Sequence, residues 1–336
     1  MKISASIYSN KTKGVEALVK ELDDLKVDFL HIDCNDDVSV FDDIAIIKTI
    51  SKTPIDLHII SSDPEKYYPY LLKHNVDFVT FQHENLTAPL PLHLPKELKS
   101  KIGIAIVTET PISVLEQYKD KMDFVLFMTT TPGQSGGLFN KENFKKIREF
   151  KQLFPDKKIH VDGGVNDEVS FVLRNMGVYS VVSGSYLVNS NVIGHALHNL
   201  RNDNIQSHIL VSDFMLTKEE LPIVSSKDSL LIDALQSIEK YALGFTMMVD
   251  EEGKLTGLIS NADVRKGLIK KINSLNELII KDVINSNPIK ITNTFTISEM
   301  LNFVKNSKIS ILYLPVVDKE NKLAGAITFN NLIKGE

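Results

Sequence analysis

The 336-residue chain has a single cysteine, Cys34. An intramolecular disulfide is therefore excluded, and nothing implies an oxidising compartment. An excess of basic charge is also missing. The 38 Lys and Arg stand against 43 Asp and Glu, a net charge of −5, which removes the electrostatic case for a nucleic-acid partner. No apolar run reaches about 18 residues, the length a membrane-spanning helix requires. The run from Met1 to Ile7 meets Asn10, Lys11 and Lys13 too soon for a secretory leader. A cytoplasmic protein with no membrane partner is expected.

What is present is alternation. At 43% hydrophobic content the chain can bury a sizeable core, and its length suggests two domains. From residue 2 to about 204, short apolar runs alternate with amphipathic helical stretches, the pattern of βα units around a parallel sheet. Strands are expected near 2–8, 27–33, 54–60, 77–81, 102–107, 122–128, 157–162 and 179–183. Helices fill the gaps, as in Lys13 to Leu25 with Val15, Leu18, Val19 and Leu22 on one face, and Lys141 to Leu153 with Phe144, Ile147 and Phe150. Eight such units in one domain predict an α/β fold, a (β/α)8 barrel with its active site at the C-terminal strand ends.

The residues at those ends carry chemistry. Leu30-His31-Ile32-Asp33 closes the second run, and residues two apart in a strand share a face, about 6.6 Å apart at about 3.3 Å per residue. Pro54-Ile55-Asp56-Leu57-His58 brings a second imidazole, and Lys158-Ile159-His160-Val161-Asp162 a second carboxylate. If these ends converge, His31, Asp33, His58 and Asp162 could hold one divalent cation. Asp33 and Asp162 come from distant strands and could flank a ligand, one on each face. By alternation Cys34 points away from the interior and reads as a buried hydrophobe, not a nucleophile.

His-x-Asp, Asp-x-His and Val-Asp-Gly-Gly, in this order, resemble the ribulose-phosphate 3-epimerases, TIM-barrel isomerases, over roughly the first 200 residues. The resemblance implies that His31, Asp33, His58 and Asp162 are metal ligands and that Asp33 and Asp162 are also the acid/base pair that moves a proton at C3 of a ketose phosphate. Mixed His and Asp ligation suits Zn²⁺ first, with Fe²⁺, Mn²⁺ or Co²⁺ as alternatives. For the sugar phosphate, the loop Thr129 to Phe139, including Gly136 and Gly137, offers backbone N–H groups to a phosphate, as do Gly163-Gly164 and Gly184-Ser185. Ser6 and Met128 match the family's first-strand Ser and its loop Met. The pocket lining departs from the family at Asn35 and Ile60, where methionines are usual, in the loop at Thr131, Ser135 and Gly137, and at Gln82, where a His-x-Glu is common although Glu84 is kept. The reaction type is thus favoured over ribulose 5-phosphate as the exact substrate.

After Leu200 the polar run Arg201 to Asn204 breaks the pattern, which places a boundary at 204 and a second domain over 205–336. Within it, Val249-Asp250-Glu251-Glu252-Gly253-Lys254-Leu255-Thr256-Gly257 matches Val317-Asp318-Lys319-Glu320-Asn321-Lys322-Leu323-Ala324-Gly325 at a constant offset of 68, a tandem duplication cut near 205–271 and 272–336. It resembles a pair of CBS domains. The resemblance implies an adenine nucleotide as regulatory ligand, held by Gly257, Ser260 and Asp263 of a full Gly-h-h-Ser-x-x-Asp motif and by Thr328 of the second copy, where Asn331 replaces the Asp. The alternative for Asp263 is a helix cap before Val264. Barrels and CBS pairs of these kinds self-associate, so a homo-oligomer is expected.

Two other readings compete. A decarboxylase or aldolase-like barrel would carry Asp-x-Lys-x-x-Asp on the third strand, and Asp56-Leu57-His58-Ile59-Ile60 has no Lys. A catalytically inactive sensor of sugar phosphate and nucleotide would fit the altered loop but leaves two paired carboxylates without a purpose.

Overall fold

Runs of β-branched and aliphatic residues that are apolar on both faces are what a parallel sheet covered by helices requires. In the computed structural model eight of them form a closed parallel barrel in chain order. They are β1 (Lys2–Ser6), β2 (Phe29–Asn35), β3 (Ile55–Ile60), β4 (Phe78–Gln82), β5 (Lys101–Val107), β6 (Phe124–Met128), β7 (Lys158–Asp162) and β8 (Ser180–Ser183). The structure describes residues 1–86, 94–131, 136–202, 208–227, 229–307 and 309–329. These fall into two compact units, one reaching Asn202 and the next beginning at His208. The expected boundary at residue 204 lies outside the described residues.

Each expected strand is found, with ends shifted by at most two residues. β8 closes the barrel on β1, with Ile3 opposite Val181. Leu30, Ile32 and Cys34 are fully buried on the outer side of β2, as alternation predicts. The helix Val15–Asp24 buries Leu18, Val19 and Leu22, and Glu142–Leu153 buries Phe144, Ile147 and Phe150, the faces read from the periodicity. Inside the barrel, rings stack into a floor: Phe29 on Phe78 at 4.8 Å, Phe78 against Phe124 at 6.0 Å, and Phe124 on His160 at 4.1 Å between centroids. Gly103 leaves the space that the Phe124 ring occupies, since a Cβ there would lie 2.3 Å from it.

The second unit is built from β9 (Leu216–Thr217), β10 (Ile223–Ser225), β11 (Phe245–Val249), β12 (Leu255–Ser260), β13 (Ile291–Thr292), β14 (Tyr313–Val317) and β15 (Leu323–Thr328). One sheet runs β10-β11-β12 and the other β13-β14-β15-β9. Each copy has a helix, strand, acidic turn and strand in that order, with helices Leu231–Tyr241 and Ile297–Lys305 leading in. Leading segments cross between copies: Thr217 pairs with Gly325 of the second hairpin, and Asn285 bridges to Leu258 of the first.

The two acidic turns are built alike. Asp250 Oδ1 accepts from the Glu252 and Lys254 N–H groups, and Asp318 Oδ1 from those of Glu320 and Lys322. The left-handed position falls on Gly253 (φ 79°) in one turn and on Asn321 (φ 65°) in the other. The turns also bond each other: Leu255 N–H donates to Asn321 O at 3.0 Å, and Leu323 N–H to Gly253 O at 2.9 Å. Below them Phe245, Met247, Leu255 and Leu258 share one core with Val317, Leu323 and Ala326. Because Asn already occupies the equivalent position, Gly253→Asn should leave the thermal midpoint nearly unchanged. Gly253→Val should cost about 1–2 kcal/mol, the penalty for a β-branched residue at positive φ. Equal losses for the two variants in thermal unfolding would sink this account.

Candidate functional site

Register assembles the site. β2 and β3 align so that Asp33 lies beside His58 and His31 beside Asp56, while β6 and β7 set Met128 beside Asp162. His31 is fully buried, its Nδ1 3.1 Å from Asp56 Oδ2, which also accepts from Ser4 Oγ at 2.8 Å. That contact turns Nε2 toward the strand ends, 3.3 Å from Asp33 Oδ1 and 3.7 Å from Asp162 Oδ2. His58, equally buried, has Nε2 2.8 Å from Gln82 Oε1. Its Nδ1 lies 3.4 Å from Asp33 Oδ1 without the alignment of a hydrogen bond.

One atom from each of His31, Asp33, His58 and Asp162 lies within 4.8 Å of all the others. Two carboxylates and two imidazole nitrogens converge, and the buried Nδ1 of His58 has no hydrogen-bond partner. A divalent cation fits this donor set, with mixed N and O ligation.

The two carboxyls are driven apart electrostatically. Burial favours the neutral form of Asp33, but the His31 charge and the hydrogen bond from His31 outweigh it and hold the carboxyl below the usual range. Burial pushes the Asp162 carboxyl up, with Asp33 adding to the rise and His31 opposing it. Burial works against the His31 charge as well, yet Asp56 and Asp33 together hold its pKa well above the ordinary imidazole value.

Above these side chains opens a cavity of about 430 Å³. Ser6, Met128, Gly136, Gly137, Gly163, Gly164, Gly184 and Ser185 all line it together with Asp33 and Asp162. The turn after β7 uses positive φ at Gly163 (113°) and Gly164 (64°), and a Cβ on Gly164 would lie 2.2 Å from the Phe139 nitrogen. Glycine there lets the Leu138–Phe139 backbone close down on the β7 turn. The loop residues 132–135, including Ser135, lie outside the described residues. No Lys or Arg lines the cavity among the described residues, so a phosphate would be met by backbone N–H groups and hydroxyls.

Sequence reasoning passed over Tyr8, Ser9, Asn166 and Tyr186, which line the same cavity together with Thr130 of the expected loop. Asn166 was legible as a cap, since its side chain accepts from Val169 N–H at the start of the helix Asp167–Asn175. Tyr8 and Ser9 lie in the helical turn Ile7–Ser9 and Tyr186 in the short helix Ser185–Val188, both too brief for a periodicity to announce their direction.

The sequence matches the Ribulose-phosphate 3 epimerase family model over residues 2–188. The chain belongs to this family. Among its relatives, the ribulose-phosphate 3-epimerase of Bacillus subtilis (strain 168) is 29% identical over 198 residues, 55% of this chain and 91% of that protein. The ribulose-phosphate 3-epimerase of Methanocaldococcus jannaschii is 28% identical over 226 residues, 64% of this chain and 95% of the relative. This family of isomerases supplies the barrel. The CBS domain model matches residues 211–270 and 280–335, so this epimerase-family chain also carries a CBS pair. A solved structure, CBSX2 in complex with AMP, aligns with 37% of the chain and 93% of its own length at 23% identity and a TM-score of 0.32. Among the described residues no helix is long and apolar enough to cross a membrane.

In the CBS pair, Gly257 and Ser260 lie on β12, Thr328 ends β15, and Asp263 follows β12. Tyr313 pairs in register with Thr328. Gly257 has a packing role too, because a Cβ there would meet Ile284 at 2.5 Å. Asp263 does not cap a helix starting at Val264. The helix is Asn261–Lys270, Ser260 is its cap, and Asp263 is its third residue, reaching back to accept from the Ser260 N–H at 3.1 Å. A Ser-x-x-Asp spacing satisfies two helix-start N–H groups at once, which a lone Asp cap cannot do. Asn331 lies outside the described residues.

Proposed function

We propose that the barrel catalyses metal-dependent 3-epimerisation of a ketose phosphate, ribulose 5-phosphate to xylulose 5-phosphate or a related pair, by two-base proton transfer. The observation that carries this reading is that Asp33 and Asp162, from β2 and β7, line one cavity and both approach His31 Nε2. One carboxylate takes the C3 proton on one face of the sugar and the other returns a proton on the opposite face. Their opposite pKa shifts give the separation an acid/base pair needs, and a positioned pair contributes about 10² to 10⁴ in rate per group. His31, Asp33, His58 and Asp162 would hold Zn²⁺, or Fe²⁺, Mn²⁺ or Co²⁺ in its place. A cation bound there would supply Lewis-acid stabilisation of negative charge on the substrate oxygens, worth several kcal/mol. Backbone N–H groups around Gly136-Gly137, Gly163-Gly164 and Gly184-Ser185 orient the phosphate, with Ser6 and Met128 beside the sugar. For the CBS pair, the complete Gly257 to Asp263 motif together with Thr328 supports an adenine nucleotide as regulatory ligand.

The test is NMR of ribulose 5-phosphate in deuterated water with metal-loaded protein. Deuterium at C3 accompanied by xylulose 5-phosphate is expected. Absence of both would remove ribulose 5-phosphate and direct the assay to larger ketose phosphates. Binding of these sugars with no exchange in any of them would leave a sensor in place of an enzyme.

A further inference from the structure

The two metal-site imidazoles are braced differently. His31 rests on a carboxylate, Asp56. His58 rests on a carboxamide, Gln82, through Nε2 and Oε1 at 2.8 Å. A carboxylate can only accept, so it dictates where the imidazole proton sits. A carboxamide can accept through oxygen or donate through nitrogen, and by itself dictates nothing.

The polarity of Gln82 is set one residue further out. Gln82 Nε2 donates to Glu84 Oε2. Glu84 Oε1 accepts from the Val107 N–H at 3.0 Å and from the Thr110 hydroxyl. Glu84 stands exposed at the barrel rim, where a carboxylate stays ionised, and the bonds from Thr110, Gln82 and Val107 outweigh what burial it has and lower its pKa further. An acceptor-only group at the outer end fixes the NH2 of Gln82 outward and its oxygen inward. The inward oxygen requires a proton on His58 Nε2, which leaves the lone pair on Nδ1, the atom that faces Asp33.

We propose that Glu84, acting through Gln82, is a positioning residue that sets the His58 tautomer and so makes Nδ1 the ligand atom of the metal site. The proposal rests on the metal reading above. With the carboxamide reversed, His58 would carry its proton on Nδ1 and present N–H, not a lone pair, to the cation.

The experiment measures Zn²⁺ affinity by competition with a chromophoric chelator on the full chain, and the His58 tautomer by long-range ¹H–¹⁵N correlation, assigned with a His58→Gln control. Glu84→Gln removes the polarity, because a carboxamide at the outer end can donate as well as accept. Affinity should fall about tenfold to a hundredfold, the range for lost outer-shell partners, and His58 should show both tautomers. The exchanged pair Gln82→Glu with Glu84→Gln restores an acceptor facing His58 and should bring affinity back to within about threefold of the starting protein, with the Nε2–H tautomer alone. A merely structural role for Glu84 would leave the single and double variants alike. Full affinity with one tautomer in Glu84→Gln overturns the proposal, as does a double variant no better than the single. If Glu84→Gln does not fold, Gln82→Met carries the test, since it leaves Nε2 without an acceptor and unchanged affinity in it overturns the proposal equally. Both readings are of metal and ring, so they stand apart from any failure to find turnover with a given sugar.

Discussion

An Asp162→Asn protein should fold, bind sugar phosphate and lose epimerisation by about 10²- to 10⁴-fold. Asn keeps the shape of the side chain but cannot take or return the proton. Asp33 remains on the other side of the cavity, so solvent deuterium should still enter the one epimer whose C3 hydrogen faces it, with no conversion to the other. That one-sided exchange is the mark of two bases. Undiminished interconversion would refute the assignment, and metal content measured alongside separates loss of a proton carrier from loss of a ligand.

Stability should move the other way. The Asp162 carboxyl is raised to about 6 by burial. The folded chain therefore holds a proton more tightly than the unfolded one, and stability falls as pH rises between the unfolded value of about 3.9 and the folded one. The neutral amide has no such cost. With a chelator present, Asp162→Asn should match or exceed the starting protein in thermal midpoint at pH 7 and lack the decline between about pH 4 and 6.

Gly103→Ala should cost about 3 kcal/mol, the upper part of the range for overpacking. The added methyl would lie 2.3 Å from Phe124 Cε2 and 2.8 Å from Thr80 Oγ1. Neither neighbour can yield: Phe124 is stacked on His160 at 4.1 Å, and Thr80 is fully buried. At about 2–4 °C per kcal/mol for a domain of this size, the barrel's thermal midpoint should drop by roughly 6–12 °C. Adding Phe124→Leu should recover part of the loss, a coupling expected of residues in contact. A Gly103→Ala protein that melts with its parent would show that the floor of rings is looser than described.

The βα alternation was legible because each strand end is announced by where an apolar run stops, and the convergence of His31, Asp33, His58 and Asp162 because they stand at those stops. Their supports were not. Asp56 lies two residues before His58 in a quoted motif, but its role depends on register, which sets it beside His31 of the neighbouring strand. Gln82 read only as a departure from a pattern, and Glu84 only as a residue kept, until the fold brought Gln82 against His58 across 24 residues. In the second unit the offset of 68 revealed two copies. It did not reveal that Leu216–Thr217, ahead of the first copy, adds to the sheet of the second, because no local pattern tells a two-residue edge strand which sheet to join.

The reciprocal bonds between the two acidic turns make each copy's hairpin the other's missing edge. A chain ending after the first copy would hold out the Leu255 N–H and the Gly253 carbonyl, which in the intact protein meet Asn321 and Leu323, together with half of a shared apolar core. Such a fragment would satisfy those groups from another molecule, pairing by segment exchange. The two copies thus form one folding unit, and half of it is a recipe for dimers or aggregates rather than a smaller domain.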